Sequence, residues 1–248
     1  MSLPDPSDAK NYALFFDFDG TLADIVERPE DVEVTDGTRA ALTELHRVLE
    51  GAVAIVTGRD ISTIDRFLAP VELPIAGVHG LTRRDVNGHI HHPEFDAASL
   101  AVVEAKLSPL VEQEDGLLLE PKQGAVALHY RLRPELESVC LEAMEKAVNG
   151  TPSVHVRRGK MVIEAIGHPS DKGSAIESFL AEPPFAGRRP VFAGDDLTDE
   201  DGFAAVNRLS GISIKVGLGD TQALYRVRDR EELLSWLNAI IQKIGHRP

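Results

Sequence analysis

The sequence predicts a doubly wound parallel α/β core carrying an inserted α+β domain. Three observations lead there. Short, wholly apolar runs alternate with helical patterns toward both ends of the chain, hairpin-spaced runs replace them in the middle, and acidic or hydroxyl residues directly follow the apolar runs.

The opening segment reads as strand, helix, strand, helix, strand. Ala13 to Phe18 is an apolar run of strand length, and a helix follows from Asp36 to Leu49 with Leu42, Leu45, Val48 and Leu49 on one face. Ala52 to Thr57 is the second strand, Ile61 to Leu68 the second helix, and Leu73 to Val78 a third strand that ends at Gly77-Val78-His79-Gly80.

Beyond Gly80 the rhythm changes, so residues 81–166 are expected to form the inserted domain and residues 1–80 and 167–248 the core. Asn87-Gly88 lies between Arg83–Val86 and His89–His91, a strong hairpin signal. Leu117 to Glu120 is matched with Val126 to Tyr130, and Val154 to Arg157 with Met161 to Ala165 across Arg158-Gly159-Lys160. Helices are predicted over Ala97 to Val111 and Glu135 to Val148. Cys140, the single cysteine, falls in an apolar stripe with Leu136, Met144 and Ala147. It reads as core, and no disulfide or paired-cysteine metal site can form. His89, His91 and His92 read as solvated hairpin residues rather than metal ligands.

After Pro169 the first rhythm returns: helix Lys172 to Leu180, strand Val191 to Ala193, helix Glu200 to Asn207, strand Ile212 to Val216 and a last helix from Glu231 to Ile244. With 26 basic and 40 acidic side chains the net charge is −14, which disfavours nucleic acid and anionic membrane surfaces as partners. No apolar run is long enough to span a bilayer, and Met1 to Lys10 has no secretory pattern, so a cytoplasmic location is expected.

In open parallel sheets ligands bind beyond the carboxyl ends of the strands. Asp17 and Asp19 follow the first strand, Thr57-Gly58-Arg59 the second, His79 the third, and Asp195-Asp196 the run Val191 to Gly194. Carboxylates about 4 Å apart repel by about 4 kcal/mol at an effective dielectric near 20. Gathering Asp17, Asp19 and Asp195 therefore calls for a cation, and Mg²⁺ suits an all-oxygen set shared with a phosphate. Asp17-Phe18-Asp19-Gly20 alone also fits a strand-end turn. Asp199 and Glu200 fit a helix cap or a role in orienting the metal ligands. Lys172 at a helix start is misplaced for the helix dipole, which points to an anion held there.

Asp17-Phe-Asp19-Gly-Thr-Leu, Thr57-Gly-Arg, Lys172-Gly and Gly194-Asp-Asp-Leu-Thr-Asp199-Glu resemble the four ordered motifs of the haloacid-dehalogenase (HAD) superfamily of phosphatases. Gly77-Val-His-Gly, Leu119-Glu-Pro-Lys122, Ala127-Leu-His-Tyr-Arg131 and Gly159-Lys-Met-Val-Ile-Glu164 make the insertion resemble the cap of trehalose-6-phosphate phosphatases. The resemblance covers nearly the whole chain. It implies a Rossmann-like core with Asp17 as nucleophile and Asp19 as general acid and base. Mg²⁺ would be held by Asp17, the Asp19 carbonyl and Asp195, with Asp196 helping to position it.

Thr57 and Lys172 would hold the phosphoryl oxygens. Glu120, Lys122 and Glu164 would bind the distal glucose, with His129, Arg131 and His79 added, and Gly20 and Arg59 complete the expected substrate contacts. Ala165-Ile166-Gly167-His168-Pro169 departs from the family pattern. The implied enzyme is a monomeric phosphatase acting on a small sugar phosphate, trehalose 6-phosphate, in trehalose biosynthesis. Alternatives are another sugar-phosphate phosphatase of the sucrose- or glycosylglycerate-phosphate type, a phosphomutase, or a noncatalytic sugar-phosphate sensor.

Overall fold

The computed structural model describes residues 3–26, 31–92, 95–122, 124–159, 161–167 and 171–245, apart from the side chains of Ser7 and Lys122. The expectations for His168 and Pro169 lie outside these residues. The chain divides into two compact units, Met1–His92 with Ser170–Pro248, and Pro93–Pro169.

The first unit is built on one sheet of eight strands. In chain order its elements are β1 (Tyr12–Phe16), α1 (Asp36–Val48), β2 (Val53–Val56), α2 (Ile61–Leu68), β3 (Ile75–Gly77), β4 (Thr82–Arg84) and β5 (Ile90–His91). The second unit follows with α3 (Ala97–Gln113), β6 (Leu118–Lys122), β7 (Ala125–His129), α4 (Glu137–Val148), β8 (His155–Gly159) and β9 (Val162–Ile166). The chain then returns to the first with α5 (Lys172–Leu180), β10 (Arg189–Gly194), α6 (Glu200–Arg208), β11 (Ile212–Val216), β12 (Tyr225–Val227) and α7 (Arg230–Gly245).

The strand order is β12-β11-β10-β1-β2-β3-β4-β5, parallel from β12 through β3 and antiparallel beyond. β1, β2 and β11 are buried along their whole length, as a sheet covered on both faces demands. The core joins Leu14, Phe15 and Phe16 of β1 to Phe179, Phe185, Phe192 and Phe203. From β1 the chain winds first toward β3 and later, from β10, the opposite way. The β1/β10 boundary is thus a topological switch point, where a crevice opens beyond the strand ends.

Two expectations about the sheet are corrected. The Asn87-Gly88 hairpin belongs to the first unit, because β4 turns straight back and pairs with β3 in the register Ile75↔Arg84, Ala76↔Arg83, Gly77↔Thr82. Arg83 bonds Glu182 and Arg84 forks onto Asp65 at 2.7 Å, which ties the hairpin to its own unit. The division therefore falls after His92 rather than after Gly80, and at the far side Gly167 goes with the second unit. β12 has no counterpart in the predicted elements, since three residues of mixed polarity carry no periodicity. His89 and His91 are exposed, as expected for a hairpin, and both lean on the Asp85 carboxylate.

The second unit is an antiparallel sheet, β6-β7-β9-β8, packed on one face by α3 and α4. Leu100, Val103, Leu107, Cys140 and Met144 of the helices meet Val126, Leu128, Ile163 and Ala165 of the strands. Cys140 is buried there as predicted. The last hairpin pairs as far as Gly159↔Val162, so Arg158 and Gly159 belong to the strand rather than to the expected turn.

Candidate active site

Asp17 is the first residue beyond β1, and its N–H still bonds the Ala193 carbonyl of β10 at 2.9 Å. Its side chain is buried, which taking a lone carboxylate from water would make costly. Lys172 supplies the offset: Nζ donates to Asp17 Oδ1 and Asp199 Oδ1 at 2.6 Å each. Lys172 opens α5, whose N-cap Asp171 forms a capping box with Ser174, so the lysine is held at the positive end of the helix by two carboxylates.

Burial pushes the Asp17 carboxyl up to about 7, with Lys172 pulling it down and Asp199 adding to the rise. For Lys172 burial acts downward, yet the two aspartates prevail and its pKa is raised. Burial also lifts Asp195 to about 6, helped by Asp199 and Asp196. Oxygens of Asp17, Asp195 and Asp199 lie within 4.8 Å of one another. These are hard donors with no nitrogen or sulfur among them, and the raised carboxyls are a deficit that a divalent cation would remove, so the residues fit Mg²⁺.

The third carboxylate of this cluster is Asp199, where the sequence predicts that of Asp19, whose two oxygens are instead taken by Arg59; Asp196 is not among the three either. Asp196 Oδ1 accepts from the Leu197 N–H at 2.6 Å, while Asp199 Oδ2 accepts from the Asp196 N–H at 2.8 Å. The turn after β10 thus spends Asp196 as its cap and turns the buried Asp199 inward. Because Asp199 already accepts from Lys172 and Asp196, Asp17 and Asp195 are the groups best placed to meet a cation. Gly20 has φ 78, and a Cβ there would lie 2.0 Å from Asp195 Oδ2, so only glycine lets the two loops meet.

Thr57 follows β2, and its Oγ1 accepts from the Arg59 N–H at 3.2 Å, which leaves the hydroxyl proton to another acceptor. Arg59 does not stand open as a substrate contact: Nε and Nη2 fork onto Asp19 Oδ2 and Oδ1 at 2.6 and 2.8 Å. His79 has φ 56, and its N–H bonds the Thr57 carbonyl at 2.9 Å. A Cβ on Gly58 would sit 2.8 Å from the His79 ring, so the imidazole lies directly against the loop after β2.

In the second unit, cross-strand register puts Glu120, Ala127, Glu164 and Arg157 in one row, on the sheet face opposite α3 and α4. His129 shares that face and reaches Glu120 Oε2 at 2.8 Å; Arg157 Nη2 reaches Glu164 Oε2 at 2.8 Å. Arg131 lies in the turn after β7 and is exposed, and the Lys122 side chain lies outside the described residues.

Sequence reasoning missed two residues. Lys215, buried within β11, donates to the Asp195 carbonyl; a lysine inside an otherwise apolar strand was the signal. Arg157 could be found only once the register opposed it to Glu164.

A family model described as Trehalose-phosphatase matches residues 15–231. The trehalose-6-phosphate phosphatase of Escherichia coli K12 is 41% identical over 95% of this chain and 88% of its own length. A probable trehalose-phosphate phosphatase of Sinorhizobium fredii is 42% identical over 85% of this chain and 80% of its own. Among solved structures, one titled as a trehalose-6-phosphate phosphatase related protein matches with TM-score 0.63 and 31% identity, covering 92% of this chain and 96% of that one. That of Aspergillus fumigatus trehalose-6-phosphate phosphatase, at 23% identity, shows the shared fold with TM-score 0.80 over 97% and 98% of the two chains. A haloacid dehalogenase-like hydrolase from B. subtilis shares the fold more distantly, with TM-score 0.62 over 95% of this chain and 100% of that one. With the four motifs converging on one sheet edge and the match running nearly end to end, the chain belongs to the trehalose-phosphatase family, phosphoric monoester hydrolases of the HAD fold.

Proposed function

We propose that this enzyme hydrolyses trehalose 6-phosphate to trehalose and inorganic phosphate through an aspartyl-phosphate on Asp17, in the cytoplasm and as a monomer. The observation that carries the reading is the buried contact of Asp17 with Lys172, beside Asp195 at the sheet's switch point.

An oxygen of Asp17 attacks phosphorus while the bond to the sugar oxygen breaks, and Asp19 protonates that oxygen as it leaves. Asp19, now a carboxylate, takes a proton from the water that attacks the acyl phosphate, which releases phosphate and regenerates Asp17. Lys172 has three N–H groups and spends two on Asp17 and Asp199, so the third is available to a phosphoryl oxygen. Thr57 donates its hydroxyl proton to another. Asp17, Asp195 and the Asp19 carbonyl would hold Mg²⁺, which would supply positive charge to offset the repulsion between the carboxylate nucleophile and the phosphate. The polar sheet face of the second unit, with Glu120, Glu164, His129 and Arg157, offers the carboxylates and donors that sugar hydroxyls require.

The test is phosphate release over a panel of sugar phosphates, with and without Mg²⁺. Selective, Mg²⁺-dependent hydrolysis of trehalose 6-phosphate is expected, and Asp17→Asn should lower it by at least about a thousandfold. Preference for another sugar phosphate, or an isomerised sugar phosphate with no release, overturns the substrate reading.

A further inference from the structure

We propose that Arg59 is a positioning residue for Asp19, aiming its carboxyl group for proton transfer, rather than a contact to the sugar phosphate. The proposal rests on the reading of Asp19 as acid and base.

Asp19 sits at the mouth of the strand-end crevice with its side chain about one-third exposed (36%), so its own loop does not confine it. Arg59 does. The two bonds to Asp19, at 2.6 and 2.8 Å, engage both carboxylate oxygens in the planar fork that arginine alone provides. A fork fixes the plane of the carboxyl group as well as its place, and it can keep hold of one oxygen while the other exchanges a proton.

The fork is itself held. The Arg59 guanidinium lies 5.2 Å from the centre of the Phe67 ring, and Phe67 stacks on Phe18 at 5.9 Å and 8°. Phe18 is the residue between Asp17 and Asp19. The guanidinium is therefore braced against a ring that packs on the nucleophile's own loop. The backbone of Arg59 is pinned at both ends as well: its N–H donates to Thr57 Oγ1 at 3.2 Å and its carbonyl accepts from the Val78 N–H at 3.0 Å. One short segment thus ties the phosphoryl-binding threonine to the proton-transfer group. A misplacement of about 1 Å can cost two orders of magnitude in rate, so such bracing has a chemical consequence.

In the first half-reaction the bond from Asp17 oxygen to phosphorus forms as the bond from phosphorus to the leaving oxygen breaks. The proton passes from Asp19 to that oxygen. A leaving group that is already a weak base needs this proton little, whereas a strongly basic one depends on it. Loss of aim at Asp19 must then be felt in proportion to the basicity of the leaving group, which loss of sugar binding would not produce.

The experiment measures kcat/KM, which reports the first half-reaction, on aryl monophosphates without sugar, from p-nitrophenyl to phenyl phosphate. The intact enzyme is compared with Arg59→Met, Arg59→Lys and Asp19→Asn. General acid help is worth about a hundredfold to ten-thousandfold. Arg59→Met should lose at least about tenfold more on phenyl than on p-nitrophenyl phosphate, and Arg59→Lys, which keeps the charge without the fork, should recover part of that difference. Each variant serves as its own reference, so partial unfolding, which lowers every substrate alike, cannot imitate the result.

A parallel fall across the series in Arg59→Met, or a defect confined to KM for sugar phosphates, overturns the proposal while Asp19→Asn still shows the steeper dependence. A flat dependence in Asp19→Asn instead removes Asp19 from the acid role and brings down the underlying reading.

Discussion

Lys172 Nζ stands 2.6 Å from Asp17 Oδ1, both side chains buried, although 155 residues separate them in the chain. The pair is the point where the two halves of the first unit, interrupted by the second, become one site. Its third member, Asp199, is fully buried and shares the same ammonium, so one cation serves two carboxylates.

Removing that cation strands both carboxylates. Lys172→Met should cost about 3 kcal/mol of stability at pH 8 and less at pH 5.5, where protonation of Asp17 relieves the burial. Thermal melts of the two proteins at both pH values test this; an equal loss at each would exclude the electrostatic cause.

Asp17 at about 7 and Asp195 at about 6 lie above their unfolded value of 3.8, so without metal the folded state holds protons that the unfolded state has released. Their contribution to stability is therefore present at low pH and lost as pH rises from about 4 to about 7. Cation binding needs the ionised forms and has the opposite slope. Mg²⁺ should bind at least about tenfold more tightly at pH 7.5 than at pH 5.5, measured as a shift in melting temperature against Mg²⁺ concentration. A pH-independent Mg²⁺ shift contradicts the assignment of these carboxylates.

Gly20→Ala drives a methyl group into the Asp195 carboxylate and strains a backbone at φ 78. It should cost about 1–2 kcal/mol and weaken Mg²⁺ binding about tenfold or more, because the displaced group is proposed as a cation ligand. Calorimetric titration with Mg²⁺ checks the second point; unchanged affinity would show that Asp195 is not a ligand.

Glu164→Ala and Arg157→Ala remove opposite partners of one cross-strand pair at 2.8 Å. Each should raise KM for trehalose 6-phosphate about tenfold and leave hydrolysis of p-nitrophenyl phosphate within about twofold, since the sheet face of the second unit is read as the sugar contact. A matching loss on both substrates would point to the chemistry instead.

The placement of Asp17, Asp19, Thr57 and Asp195 was legible because parallel strands impose a rule: polar residues directly after an apolar run lie at the sheet's carboxyl edge. Lys172 was legible for a different reason, as a cation at a helix start where the dipole disfavours it. The same locality explains the failures. The Asn87-Gly88 signal specifies a hairpin but carries no information about the sheet it joins, and only the pairing of Ala76 with Arg83 decides that. Asp196 and Asp199 are equivalent as acids in sequence. The turn after β10 spends one on the Leu197 N–H and buries the other against Lys172.

The sequence by itself determined the alternation of elements and the strand ends where acidic and hydroxyl residues gather, since both follow from local pattern. Tertiary structure alone decided the partners: Arg59 on Asp19, Lys215 on the Asp195 carbonyl, Arg157 on Glu164. Such pairings depend on register and loop closure between distant segments, and no local periodicity encodes them.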